Sequence, residues 1–230
     1  MKCKRLFKLS PRLQMCANMI NPNASIVDVG TDHAYLPIWL ARMGRISKAI
    51  ACDINLMPLE RAKKNIDKYE VSSIIETRIS DGLKGINEGE VDEIIIAGMG
   101  GELIAKIIED TEWIKSKKLI LNPMSSDMNL RVYLSKNGYE INEEVAVLSD
   151  NKVYTVMNCE YTGKENNYCD EYYFVGKLLE NNLNKDTLIY INNQIKDLKN
   201  RKKGEEIKQN YSNVRRIEKV IEYLSKYLNN

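Results

Sequence analysis

Histidine is almost missing from this chain, with His33 the only one in 230 residues, which argues against a metal centre built on imidazoles. Cysteine occurs five times (Cys3, Cys16, Cys52, Cys159, Cys169), but the five are scattered and include no C-x-x-C pair. Neither a disulfide framework nor a zinc cluster is indicated, and no metal is expected. No stretch reaches the roughly 18 uncharged apolar residues of a membrane span. The opening MKCKRLFKLS lacks the apolar core of a secretory signal. A cytoplasmic protein without membrane contact is expected. There is also no G-x-S-x-G elbow, no P-loop and no recognisable Cys–His pairing, so nothing points to hydrolysis.

What is present is a globular composition, 43% apolar and 29% charged, long enough for one sizeable α/β domain and an accessory piece. The net charge of +2 conceals an uneven distribution. Residues 1–20 carry Lys2, Lys4, Arg5, Lys8 and Arg12 with no acid, whereas residues 21–159 hold about five more acids than bases. A basic arm beside a ligand pocket points to a polyanion such as RNA, although solvated N-terminal bases are also common.

The chain is organised around Ser25–Leu36, SIVDVGTDHAYL. β-favouring residues run into Asp28-Val29-Gly30, turn through Thr31-Asp32-His33, and continue as an amphipathic run. This is the first strand–turn–helix of an open α/β sheet, with the ligand crevice at the carboxyl end of the strand. A dinucleotide site needs G-x-G-x-x-G, but Gly30 is followed by Asp32 and not by a second glycine. A carboxylate there would oppose a diphosphate by about 4 kcal/mol per pair at ~4 Å and an effective dielectric near 20. A phosphate-free adenosine compound with a cationic tail suits the turn better, and S-adenosylmethionine has that form. The competing reading is an ordinary βα turn with a capping Asp or Thr.

Ser10-Pro11 opens a helix to about Ile20, ended by Asn21-Pro22-Asn23. Further strands are expected at 48–54, 75–80, 91–97 and 118–121, with helices at 58–69, 102–110 and 130–137. Residues 139–149 and 152–161, joined by Ser149-Asp150-Asn151, read as a hairpin. Five βα units closed by an antiparallel hairpin form a class I (Rossmann-like) methyltransferase sheet. The expected division is a cofactor-binding domain at 1–162 and a helical one at 163–230. In the latter, a helix at 171–182 precedes two heptad seams: Leu188, Ile191, Ile195, Leu198 and then Val214, Ile217, Ile221, Leu224, Leu228. These predict an antiparallel coiled coil that breaks near Gly204. Its outward bases, Arg201, Lys202 and Lys203 among them, could grip phosphates, although solvated helix faces look the same.

Successive strand ends bring suitable groups to one edge. Gly30 and Asp32 suit the methionine end of the cofactor, Asp53 the ribose hydroxyls, Ile54 one adenine face, and Asp81 with Gly82 the adenine amine. Gly98 to Gly101 is expected to leave an open floor where side chains would otherwise block the reacting methyl group, and Ala97, Gly98, Met99 and Gly100 are candidate cofactor contacts. DVGTDHAYLPIWL, ACDINLMPLERAKKNI, RISDGL, IIIAGMGGELI and LILNP, with SPRL ahead of them, resemble the TrmK family of bacterial tRNA (adenine(22)-N(1))-methyltransferases over residues 9–160. Asn122-Pro123 departs from the Gln-Pro expected of relatives. The resemblance implies tRNA as substrate, S-adenosylmethionine as donor and N1-methyladenine as product. Asp32 and His33 are then the candidate acceptors of a proton from the base, and Arg5, Lys8, Arg12 and the tail bases the candidate RNA contacts. A monomer is expected. The alternatives are a methyltransferase acting on another RNA or a small molecule, a non-catalytic RNA-binding or S-adenosylmethionine-sensing protein, and, disfavoured by the missing glycines, a nucleotide-dependent oxidoreductase.

Overall fold

Alternating apolar and amphipathic runs give an alternating fold. The computed structural model describes residues 6–180 and 183–228. Helix α1 (Pro11–Met19) leads into β1 (Ala24–Val29), α2 (Tyr35–Arg42), β2 (Ile46–Asp53), α3 (Leu56–Lys68) and β3 (Ile75–Ile79). The chain continues through β4 (Glu93–Met99), α4 (Gly101–Glu109), β5 (Lys118–Pro123) and α5 (Asp127–Lys136) to the hairpin β6 (Tyr139–Ser149) and β7 (Lys152–Tyr161). The tail comprises α6 (Asp170–Val175), α7 (Lys185–Ile207) and α8 (Tyr211–Ser225).

The sheet order is β3-β2-β1-β4-β5-β7-β6, with β1 to β5 parallel and β7 antiparallel to both its neighbours. Period-two geometry divides each central strand between two cores. Ile26 and Ile95 face the layer of α1, α2 and α3, whereas Val27, Val29, Ile94 and Ile96 face α4 and α5. Burial on both faces accounts for the almost uninterrupted apolar run of β4. The hairpin lies where its alternation predicts, and Asp150 (φ 50°) and Asn151 (φ 63°) take the left-handed conformations of a two-residue turn.

The tail departs from expectation at two points. The helix expected over 171–182 ends at Val175 and passes into a 3₁₀ turn, Gly176–Leu179, while residues 181–182 lie outside the described residues. The break is imposed from elsewhere in the fold. The fully buried Arg131 donates to the carbonyls of Tyr173 (3.0 Å) and Phe174 (3.2 Å), and the N–H of Lys177 donates to Glu144 Oε2 at 3.1 Å. Gly176 sits at φ +53°, and a Cβ there would collide with the Glu144 carboxylate. The second difference is that Gly204 lies inside α7; the chain reverses after it, with Gln209 left-handed. The seam itself forms: Ile191, Ile195 and Leu198 pack with Ile217 and Leu224, and Val214 is buried as well. Tyr190 and Val220 take buried places expected for Leu188 and Ile221, and Ala146 of β6 joins the same cluster. Among the described residues no helix is long and apolar enough to cross a membrane.

Candidate active site

The sheet order reverses between β1 and β4, and the turn after β1 opens at this switch point. The N–H groups of Gly30 and Thr31 both donate to the Cys52 carbonyl (2.8 and 2.9 Å), which ties the turn to the end of β2. Thr31 Oγ1 accepts from the Ala34 N–H at 3.1 Å, just ahead of α2. Gly30 is at φ +76°, and a Cβ on it would strike the thioether methyl of Met99. The left-handed backbone is what favours glycine here, since the flexible end of Met99 could move aside. Met99 covers the turn instead of leaving an open floor, and of the Gly98–Gly101 run only Gly98 faces space, with Arg12 Nη1 3.9 Å from where its Cβ would be.

A crevice of about 350 Å³ follows, lined by Arg12 and Leu13 of α1, the turn from Asp28 to Leu36, and Ala97 with Gly98. It brings Gly30, Asp32, His33, Ala97 and Gly98 together as expected, and adds two groups that the sequence reading placed differently. The first is Asp28, 7% exposed, whose carboxyl burial pushes up to about 6 against the opposing pull of Thr31 and Arg12. No role had been given to it. The second is Arg12, expected in an RNA-binding arm but turned inward by α1, where its Nη1 donates to Asn122 Oδ1 at 3.1 Å. Asn122 is fully buried and donates through Nδ2 to the Thr155 carbonyl (2.8 Å), so its amide is fixed and presents an oxygen to Arg12.

Asp32 is exposed and accepts from Arg61 Nε at 3.1 Å, while His33 Nε2 lies 3.1 Å from its other carboxylate oxygen. Asp53 ends β2 and accepts from the Asn55 N–H at 2.7 Å; beside it Ile54 is 60% exposed, an unburied apolar side chain at the strand end. Asp81 pairs with Lys84 at 2.5 Å, Gly82 turns at φ +58°, and Gly100 lies against Ser125. Asp53, Ile54, Asp81, Gly82, Met99 and Gly100 lie outside the lining of the crevice. Among the RNA candidates, Lys8 is exposed near α1 and Arg5 lies outside the described residues. Arg201 and Lys203 are exposed on α7, whereas Lys202 is tied to Glu218 of α8 at 2.6 Å.

These groups fit S-adenosylmethionine. The crevice sets the carboxylates of Asp28 and Asp32 beside the guanidinium of Arg12, a charge pattern complementary to the ammonium and carboxylate of that cofactor's amino-acid end. A parallel sheet closed by an antiparallel hairpin, with an acid-lined crevice at its switch point, defines a class I methyltransferase. Residues 9–157 match the family model described as "Methyltransferase domain". The chain is 41% identical over 155 residues to the tRNA (adenine(22)-N(1))-methyltransferase of Bacillus subtilis (strain 168), covering 66% of this chain and 65% of that enzyme, just under two thirds of its length. The crystal structure of the B. subtilis m1A22 tRNA methyltransferase TrmK superposes with a TM-score of 0.84 at 31% identity, covering 97% of this chain and 100% of that one. M. capricolum TrmK, solved with S-adenosylhomocysteine, superposes at 0.79 with 28% identity, covering 98% and 99%. The chain belongs to the TrmK family.

Proposed function

We propose that this chain methylates N1 of an adenine, position 22 by family membership, in bacterial tRNA, using S-adenosylmethionine. The observation that carries the reading is the acid-lined turn 28–34, which lacks the second and third glycines of a dinucleotide cradle, at the switch point of a TrmK-family sheet. When bound, S-adenosylmethionine supplies a methyl group on a positively charged sulfur. Asp28 and Asp32 hold the ammonium, Arg12 the carboxylate and Asp53 the ribose hydroxyls; Ile54 covers the adenine, and Asp81 accepts from its amine. Gly98, bare on its crevice side, admits the incoming base. N1 of adenine carries an in-plane lone pair, so these residues need only align it, and alignment is worth ~7–11 kcal/mol of barrier. Methylation at N1 leaves a cation on the base, and Asp32 and His33 are the candidate acceptors of its N6 proton.

Because N1 is paired in a duplex, the nucleotide must be exposed or extruded. Residues 1–162 are the catalytic part and 163–230 the RNA-holding part, with Lys8, Arg201 and Lys203 as phosphate contacts. A monomer and a cytoplasmic location go with this reading. The test is mass spectrometry of nucleosides from unmodified tRNA incubated with protein and S-adenosylmethionine. N1-methyladenosine is expected with the wild type and a drop of about tenfold or more with Asp53→Ala. Cofactor binding without any methylated nucleoside would leave a non-catalytic binder instead.

A further inference from the structure

A second hollow, about 420 Å³, opens beside the crevice and shares Arg12, Leu13 and Tyr35 with it. Its wall is aromatic. Phe7 stands edge-on to Tyr35 (5.0 Å between centroids) and to Tyr69 (5.2 Å), and Tyr35 stacks on His33 of the catalytic turn at 5.0 Å and 17°. Tyr35 nonetheless keeps 42% of its surface exposed. The lining adds Lys8 and Lys68 and contains no carboxylate. Lys68 Nζ lies 5.4 Å from the Tyr69 ring centroid, and neither lysine has an ion-pair partner among the described residues. Ser10 Oγ, on a lining residue, is buried without a hydrogen-bond partner among the described residues.

The larger hollow under the tail, about 510 Å³, is different in kind, because it has carboxylates in its own lining and two of its three cations are paired, Arg216 with Asp170 and Lys208 with Glu205 at 3.1 Å, which leaves Arg201 alone among the described residues. An exposed ring flanked by uncompensated lysines is instead the arrangement that holds single-stranded nucleic acid. Stacking accepts any base, and the cations take the backbone. Since Tyr35 borders both spaces, a strand whose reacting base enters the crevice would bring an adjoining base to this ring.

We infer that this hollow is a subsite for an unpaired nucleotide next to the methylated adenine, its base stacked on Tyr35 and its phosphates held by Lys8 and Lys68. The inference rests on the proposed RNA methylation and adds which part of the RNA must be single-stranded. It is tested with unmodified tRNA carrying 2-aminopurine on one or the other side of the target, mixed with wild-type protein and S-adenosylhomocysteine. Fluorescence at one of the two positions is expected to be quenched. Tyr35→Ala should remove the quenching and raise KM for tRNA about five- to 150-fold, the range for loss of one base–aromatic stack, whereas Tyr35→Phe, which retains the ring, should stay within about twofold. Lys68→Ala should also raise that KM. A wild type that methylates the tRNA but quenches neither reporter overturns the subsite and leaves the hollow to packing or to a protein partner. A wild type that methylates no tRNA overturns the proposed function, and the subsite with it.

Discussion

Asp28 is the residue in which burial and charge conflict most directly at the site. Burial raises its carboxyl to about 6, while the hydrogen bond from Thr31 and the charge of Arg12 pull the other way. A cationic ligand stabilises the carboxylate, so binding below that pKa must release a proton. Affinity for S-adenosylhomocysteine, measured by calorimetry from pH 5 to 8, is expected to rise by up to about tenfold per pH unit below about 6 and to level off above it. Asp28→Asn should flatten the profile; a flat wild-type profile would remove Asp28 from the site. The same raised pKa fixes the sign for stability. Asp28 costs the fold nothing below its unfolded pKa near 4, and an increasing amount as pH rises through about 6. Asp28→Asn should therefore stabilise the protein by up to about 3 kcal/mol at pH 7.5 and by almost nothing at pH 4. The positions of Gly30 and Asp32 after β1 and of Asp53 at the end of β2 were legible in the sequence because each strand has a recognisable boundary. Asp28 was not, because its surroundings depend on burial in the fold and on Arg12 of α1, which Asn122, far along the chain, holds in place.

Elements of this protein are joined by contacts that local periodicity does not record. The hairpin is legible because alternation and an Asp-Asn turn sit in one short stretch. The end of α6 is not, because it answers to Arg131 on α5 and Glu144 on β6. These two side chains are fully buried and joined at 2.6 Å, and Arg131 Nη2 also donates to the Tyr190 hydroxyl of α7 at 3.1 Å. Tyr190 in turn donates to Asp127, at the start of α5. The tail is thus fastened to the sheet by a buried ionic cluster, beside the apolar patch that Ala146 shares with α7 and α8. Breaking such a pair from one side leaves a stranded charge, so Arg131→Met should cost about 3–5 kcal/mol in urea denaturation, and pairing it with Glu144→Leu should recover most of that loss. Deleting residues 163–230 would strand the same charges, which makes surface point variants the cleaner probe of what the tail contributes to RNA.

At the scale of the whole molecule, the proposed tRNA substrate would find its electrostatic attraction at both ends of the chain, because the excess of bases lies there and the middle is acidic. The structure sorts the tail bases by what already holds them. Lys202 bridges Glu206 at 3.5 Å and Glu218 at 2.6 Å, knitting α7 to α8, whereas Arg201 and Lys203 are exposed without ion-pair partners among the described residues. Only a cation free to displace counterions from phosphate contributes to the salt dependence of binding. A double-logarithmic plot of tRNA affinity against salt concentration should accordingly lose about 0.7–0.9 of slope with Arg201→Ala and again with Lys203→Ala. Lys202→Ala should leave the slope unchanged and lower the melting temperature instead. S-adenosylmethionine carries no phosphate, so its own affinity should vary far less with salt than that of tRNA. If all three variants keep the wild-type slope, the tail does not touch the phosphates, and RNA binding falls to the N-terminal arm and the crevice mouth alone.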